Sequence, residues 1–328
     1  HSRAWRGGCG QPLMARVCVI GSFNVDHVWR VAALPQVGAT LAGHYHTGPG
    51  GKGFNQAMAA RRAGADTRFV CALGDDAGAQ LARQLCSDDG IDLHSAASAA
   101  PTGTAGIYVD AEGRNCIVIG AGANADLQPP FVETALHGVQ AGDVLLAQLE
   151  SPPSTIFRAL AAGRAQAATT LLNPAPANVA IDQSMLDQVD FLTPNETEFA
   201  ALIGRHVGER IAADTVVGLD QPRLHRLCRE LLPHGSVIIT LGASGCFVSH
   251  PETHLRGDTH TCYRIPAEPA HVVDTTGAGD AFNGALAASL AQRPALACIE
   301  HVRFAGHYAA RSTEHTGAAL AMPHIAIV

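Results

Sequence analysis

The chain has 328 residues, is 47% hydrophobic and carries a formal charge of -7 with an isoelectric point near 6.2. That length suits one large α/β domain, while the acidic balance and the lack of a dense Lys/Arg run exclude a nucleic-acid footprint and favour a small-molecule partner. No apolar stretch is long enough to span a bilayer, and nine scattered cysteines without a C-x-x-C pair exclude a disulfide framework or structural zinc, so reduced thiols and a cytoplasmic location are expected.

In chain order, residues 1–13 (HSRAWRGGCGQPL) lack an apolar signal-peptide core and read as a leader or expression scar before Met14, leaving a single domain over 15–328. RVCVIGS predicts a strand and FNQAMAARRAGA a helix ending at Gly64. TRFVCALG predicts a second strand, and DAGAQLARQLCSDDG a helix ending at Gly90. Further on, DVLLAQLE, TTLLNPAP, VDFLTPNE and SVIITLG are continuous apolar runs with helical segments between them, the pattern of parallel strands buried on both faces. Ligands of such sheets bind beyond the strand carboxyl ends, so Asn24, Asp26, Glu150, Asn173, Asn195 and Thr240, which close these runs, should gather at one rim. Two stretches break the rhythm with alternating patterns and turn residues, including EGRN between strand-like runs. They predict a small β lid from about 26–49 and 100–121.

Seventeen histidines raise the question of a metal, above all His44 and His46, or His250, His254 and His260. Neither set has a carboxylate or cysteine at ligand spacing, so solvated surface histidines are expected.

Two glycine-rich segments carry the chemistry. In VDTTGAGDAFNGALAASL, the start of a helix would offer free N–H groups and the positive dipole end to an anion, and Gly277 and Gly279 would let a phosphate approach the backbone. Asp280 beside such a site would repel the ligand unless the chemistry needs a base for an attacking hydroxyl, and the dipole would favour its ionised form. By itself GAGD also suits a capping Asp in a turn that merely starts a helix. The second segment, GPGGKGFNQAMAARRAG, is not a P-loop, because Gly53 follows Lys52. Gly50, Gly51 and Asn55 suit a polyhydroxy ligand that needs close approach and neutral hydrogen-bonding groups, although a plain helix start would read the same way.

Gly-Gly-Lys-Gly-x-Asn-Gln-Ala at 50–57 and Asp-Thr-Thr-Gly-Ala-Gly-Asp-Ala-Phe at 274–282 resemble the two signatures of the ribokinase/PfkB family of carbohydrate kinases. The resemblance runs from about residue 16 to the C-terminus. GSFNVDH, GAGAN, QLESP, LNPAPA and TPNETE, in that order, are similar to the members that phosphorylate ribose. The implied fold is a ribokinase-like three-layer α/β sandwich with a mostly parallel central sheet and a small β lid.

The resemblance also implies roles. Asp280 is the general base, and the N–H groups of Gly277, Ala278 and Gly279 form the anion hole. Asn24, Asp26, Gly50, Gly51, Lys52, Asn55, Glu150 and Asp274 hold the sugar, with Asp26 as a pure acceptor suited to a diol. Asn195, Thr240, Gly242, Gly245 and Gly279 contact the nucleotide. Glu198 organises Mg2+ through water, as a strongly hydrated ion prefers. Backbone groups near Asp274, Thr276, Ser312, His315 and Gly317, with Ala321, hold K+, but Ala321 stands where a serine hydroxyl would add a ligand. In TPNETE the spacing also fits a capping box of Thr193 and Glu196, with Pro194 first in the helix. Two further departures are Gly306, where an Asn or His would meet adenine and His307 could substitute, and Phe54, in place of a small residue, which could narrow the pocket.

The implied activity is transfer of phosphate from ATP to the 5-hydroxyl of D-ribose, by a homodimer joined through the lid, with no nucleic-acid or membrane partner. Within the enzyme class, another sugar or a nucleoside is the alternative substrate. A non-catalytic sugar or nucleotide sensor is the alternative from a different class, and the intact Asp280 and anion hole argue against it.

Overall fold

A computed structural model describes residues 15–325, so the segment 1–13 read as a leader lies outside the described residues. In chain order the strands are β1 (Arg16–Ile20), β2 (Asn24–Arg30), β3 (His44–Gly50), β4 (Asp66–Leu73), β5 (Asp92–Ala97), β6 (Gly103–Val109), β7 (Asn115–Gly120), β8 (Val144–Ala147), β9 (Thr169–Leu172), β10 (Phe191–Leu192), β11 (Ser236–Thr240), β12 (Cys246–Ser249) and β13 (Cys262–Ile265). The α-helices are α1 (Lys52–Arg62), α2 (Ala77–Asp89), α3 (Pro129–Ala135), α4 (Pro153–Ala165), α5 (Gln183–Leu186), α6 (Glu196–Leu202), α7 (Gln221–Leu231), α8 (Ala278–Gln292) and α9 (Cys298–Ser312).

The continuous apolar runs become the middle of a sheet ordered β13-β12-β11-β10-β9-β8-β1-β4-β5. It is parallel from β11 to β5, and β12 runs against both its neighbours. Alternate side chains of one strand enter opposite faces, and β1 divides accordingly. Val17 and Val19 join a core layer with α1, α2, α8 and α9, while Cys18 and Ile20 join a second layer with α3, α4, α5, α6 and α7. Both layers are dry, which gives the three-layer sandwich.

A second sheet, ordered β3-β2-β6-β7, holds the two stretches that broke the rhythm. Its β6–β7 turn is the EGRN segment: Asp110 N bonds Arg114 O at 3.0 Å, and the Asp110 carboxylate accepts from the backbone of Glu112 and Arg114. The root of this sheet lies just past β1, where Asn24 pairs with Gly50 on one side and Gly103 on the other. Asn24 and Asp26 on β2 therefore start only a few residues from the carboxyl end of a core strand.

Helix α2 ends at Gly90 as its sequence predicts, but α6 starts differently. Its N-cap is Asn195, whose side chain accepts from Glu198 N at 2.8 Å while Glu198 Oε2 accepts from Asn195 N at 2.9 Å. The capping box is thus Asn195 with Glu198, not Thr193 with Glu196. Thr193 is diverted because its hydroxyl bonds Asn283 Oδ1 at 2.5 Å, and Pro194 precedes the helix. Finally, α8 lies against α1 at Gly284: a Cβ there would sit 2.5 Å from Ala59 Cβ and from Gln56 O. Only glycine permits that approach, and it carries the first turn of α8 towards the start of α1.

Candidate active site

The strand ends build the site from below. Beyond β1 come Gly21 and Ser22, beyond β8 Gln148 and Glu150, beyond β9 Asn173, and beyond β10 Thr193 and Asn195. The helices α1 and α8 close it from one side with their N-terminal ends.

Asp280, in the first turn of α8, is 6% exposed. Its Oδ2 accepts from Asn55 Nδ2 and its Oδ1 from Gln56 Nε2, each at 2.9 Å. Burial pushes this carboxyl above its ordinary range, Lys52 and the two amide donors pull it down, and Glu150 adds to the rise. The net direction is upward, with burial as the largest cause. Gly277 caps α8 at φ 77°, a left-handed turn, and a Cβ there would press on Ala318 at 2.9 Å. This turn presents the backbone of Gly277, Ala278 and Gly279 beside Asp280, although the Ala278 N–H bonds Thr275 O at 3.2 Å.

One side of the site is anchored on β2. Asn24 is 2% exposed, and its Oδ1 accepts from Asn124 Nδ2 at 2.8 Å. Asp26 lies on the same face two residues on, its carboxylate directly over Gly50, where any Cβ would collide with it. Burial, with repulsion from Glu150 and Asp280, raises Asp26 to about 7. Glu150 Oε2 accepts from Ser22 Oγ at 2.5 Å and from Lys52 N at 2.9 Å, which ties Gly51 and Lys52 to the end of β8. Burial would pull the Lys52 ammonium down, but Asp280, Glu150 and Glu198 raise it above its usual value. Among the described residues, Asn55 Oδ1 is buried without a hydrogen-bond partner. A buried acceptor of this kind is completed by a donor from a ligand or water.

On the other side of Asp280, Asn195 bridges to Thr240, and Thr240 N bonds Pro194 O at 2.9 Å. Gly242 opens the turn after β11, and Gly245 closes it through the Leu241 N bond to its carbonyl at 2.8 Å. Glu198 is buried, and desolvation raises it despite the Asn195 N–H and Lys52. Its capping role uses one carboxylate oxygen.

The segment expected to hold K+ is organised by Asp274. Its Oδ1 accepts from Thr276 N at 2.9 Å and Thr276 Oγ1 at 2.6 Å, and its Oδ2 from Gly317 N at 3.0 Å. Partial burial works against ionisation, but these donors hold Asp274 below its ordinary value. The backbone carbonyls of Asp274, Thr276, His315 and Gly317 receive no backbone N–H among the described residues. Ser312 turns its hydroxyl to Ala309 O at 2.7 Å, away from that loop, and Ala321 is buried at 8% exposure.

Two sequence expectations change. Phe54 does not enter the site. It is fully buried, edge-on to Phe23 with centroids 5.1 Å apart and 6.0 Å from Phe69, because its place in the first turn of α1 faces the core. His250 is not a surface residue either. It is fully buried between Ser236 Oγ at 2.8 Å and Asp258 Oδ2 at 2.9 Å, and with Cys298 these groups put three ligand-type atoms within 4.8 Å of one another. Desolvation lowers His250 to about 4, so it stays neutral and serves as a hydrogen-bonding link. Cys298 is far along the chain, and Asp258, eight residues from His250, is brought to it by the loop between β12 and β13 rather than by helix or strand spacing. His44, His46, His254 and His260 are exposed as expected, and Gly306 and His307 lie on α9, with His307 Nδ1 3.8 Å from Glu268.

Some site residues carry no obvious signal in the sequence. Gln56 and Asn124 each support a predicted ligand residue from behind, and Gln148 donates to Gln56 Oε1 at 2.5 Å. Their one hint is position: Gln56 follows Asn55, Gln148 stands two before Glu150, and Asn124 closes GAGAN.

With this geometry in hand, comparison with known proteins is informative. The pfkB family of carbohydrate kinases matches residues 14–325 of the chain. Ribokinase of Mus musculus is 35% identical over 326 residues, spanning 96% of each sequence. Among solved structures, ribokinase of Thermotoga maritima superposes with a TM-score of 0.80 at 30% identity, covering 95% of this chain and 97% of that one. Arabidopsis thaliana ribokinase, complexed with ribose and ATP, gives 0.79 at 28% identity over 95% and 96%.

Proposed function

This chain belongs to the pfkB family of carbohydrate kinases, and from that premise we propose that its site transfers the γ-phosphoryl group of ATP to the 5-hydroxyl of D-ribose. The observation that carries the reading is the buried Asp280, fixed at both carboxylate oxygens beside the left-handed Gly277 turn. A sensor has no use for a buried carboxylate next to an anion site, whereas a kinase needs it as base. The ribose oxygen attacks the γ-phosphorus, its proton passes to the Asp280 carboxylate, and the bond from the γ-phosphorus to the bridging oxygen breaks to release ADP. The N–H groups of Gly277, Ala278 and Gly279 steady the charge on the transferring group. Asn24, Asp26, Gly50, Gly51, Lys52, Asn55 and Glu150 hold the sugar, with Asp274 as a further contact. Asn195, Thr240, Gly242 and Gly245 line the nucleotide phosphates.

The donor sets fit two cations. Glu198 keeps one carboxylate oxygen outside its capping bond, which suits Mg2+ held through water, and Mg2+ would neutralise phosphate charge. The loop carbonyls of Asp274, Thr276, His315 and Gly317 offer the neutral oxygens that K+ takes. Ser312 contributes only its carbonyl, and Ala321 adds no side-chain ligand. A homodimer through the β2-β3-β6-β7 sheet, which acts as the lid, completes the assembly. The free thiols, mostly buried, suit the reducing cytoplasm.

The test is ADP release from Mg-ATP with ribose, deoxyribose, fructose and adenosine, each in potassium and in sodium. Ribose should lead, faster in potassium, and Asp280→Asn should bind ribose and ATP but lose roughly 10²- to 10⁴-fold in turnover. Near-normal turnover of that variant would remove Asp280 as base, and another sugar in the lead would replace the substrate.

A further inference from the structure

The geometry points to Gln56 as the positioning residue of the base, a side chain that fixes the direction and ionisation of Asp280 without touching the substrate. The inference rests on the phosphoryl-transfer reading above. Gln56 is fully buried on α1 and spends both N–H groups and one acceptor position of its oxygen inside the protein. Its Nε2 donates to Asp280 Oδ1 at 2.9 Å and to Asn173 Oδ1 at 3.0 Å, and its Oε1 accepts from Gln148 Nε2 at 2.5 Å.

A glutamine amide can be turned over, and the wrong turn would set Oε1 against the Asp280 carboxylate. The neighbours forbid it. Asn173 gives its own Nδ2 to Thr193 O at 3.0 Å, so only its oxygen is left to face Gln56, and Gln148 presents an N–H on the opposite side. An amide with its nitrogen towards Asp280 meets the Asp280 and Asn173 oxygens and the Gln148 N–H together, and Gln148 Oε1 is left buried without a partner among the described residues. The chain of bonds returns to α8 through Thr193 Oγ1 to Asn283 Oδ1 at 2.5 Å and Asn283 Nδ2 to Gly279 O at 2.8 Å. Carboxylate and anion-hole backbone are therefore braced by one network rooted in the ends of β8, β9 and β10.

The two oxygens of Asp280 are consequently unequal. Oδ1 is held from behind by a residue with no other freedom, whereas Oδ2 shares Asn55, whose own oxygen is unpartnered and which the sugar would engage. The oxygen left to take the hydroxyl proton is Oδ2. Because an N–H bonded to a carboxylate favours its charged form, Gln56 also opposes the burial that raises Asp280. The other charges facing Asp280 are Lys52 on α1, Asp26 on β2, Glu150 beyond β8 and Glu198 on α6.

The test is Gln56→Met, close in volume and without donors, read by carbon NMR titration of the Asp280 carboxyl, assigned with Asp280→Asn, and by the pH profile of kcat. Asp280 should titrate at higher pH than in the wild type, the acid limb of kcat should move with it, and kcat should fall roughly 10- to 100-fold, part of what a general base supplies. An unmoved titration in a folded variant overturns the proposal, whatever the loss of rate, since a merely structural residue would lower kcat at unchanged pH dependence. Gln56→Leu, shorter and likewise without donors, should move the titration in the same direction and keeps the test decisive if Gln56→Met does not fold. The titration needs no turnover, so a chain that phosphorylates no sugar would sink the kinase reading while the hold of Gln56 on Asp280 is still measured.

Discussion

Asp26 shows how one residue can trade stability for binding. Among the described residues nothing donates to its carboxylate, and burial with the charges of Glu150 and Asp280 raises it to about 7. A carboxyl raised above its unfolded value of 3.8 keeps its proton in the folded state, so the free protein loses stability as pH rises from about 4 to about 7. Sugar hydroxyls supply the missing donors and bind the ionised form best. Ribose affinity should therefore increase as pH rises through about 7 and level off above it, and calorimetry across that range would check this. Asp26→Asn should bind weakly with no such rise, and a rise that survives the substitution would exclude Asp26 as its source. At this scale the sequence was legible where motifs fall at strand and helix ends that the fold brings together, as at Asn24, Asp26, Asn55 and Asp280. It was not legible where a side chain acts from behind, as at Gln56 and Asn124, because a buried amide in a helix looks the same whether or not it braces a base.

At the scale of elements, the glycines of α8 separate into three jobs that one motif conceals. Gly277 makes a left-handed turn, Gly284 lets α8 touch α1, and a Cβ on Gly279 would meet nothing within 4 Å. Substitutions should reveal the division. Gly284→Ala must push α8 away from Ala59 and Gln56, one turn below Asp280, so it should cost about 1–3 kcal/mol and lower kcat together. Gly279→Ala should hold or gain stability by up to about 1 kcal/mol through helix propensity and lose ATP affinity instead. Urea unfolding beside ATP titration distinguishes them, and equal destabilisation by both would refute the division. Helix α6 teaches the same lesson about local patterns. Thr193-x-x-Glu196 and Asn195-x-x-Glu198 both suit a capping box, and a tertiary bond from Thr193 to Asn283 decides between them.

At the scale of the molecule, the sandwich was legible because strands buried on both faces leave continuous apolar runs, and β1 supplies alternate side chains to two dry layers. What the sequence could not say is how much of the second sheet remains uncovered. Its order puts β3 and β7 at the edges, and β7 carries Ile117, Val118 and Ile119 at 50%, 64% and 49% exposure. Consecutive residues point to opposite faces, so this edge strand is apolar on both sides, one more than a lid over a sugar requires. Tyr45 adds 52% exposure at the other edge strand, with its ring 5.2 Å from Trp29, which in turn stacks on Tyr108 at 5.3 Å. An uncovered apolar edge invites pairing with a second copy unless a charge blunts it, and no Lys stands in β7 or β3. Val118→Lys supplies that charge at a site open to solvent, so the variant should fold with wild-type stability. Analytical ultracentrifugation should then find a dimer for the wild type and a monomer for the variant. If the second copy also steadies the lid over the sugar, the monomer should show a higher KM for ribose at nearly unchanged KM for ATP. A wild type that sediments as a monomer would refute the dimer, and an unchanged ribose KM in a monomeric variant would leave the lid closing without help from a partner.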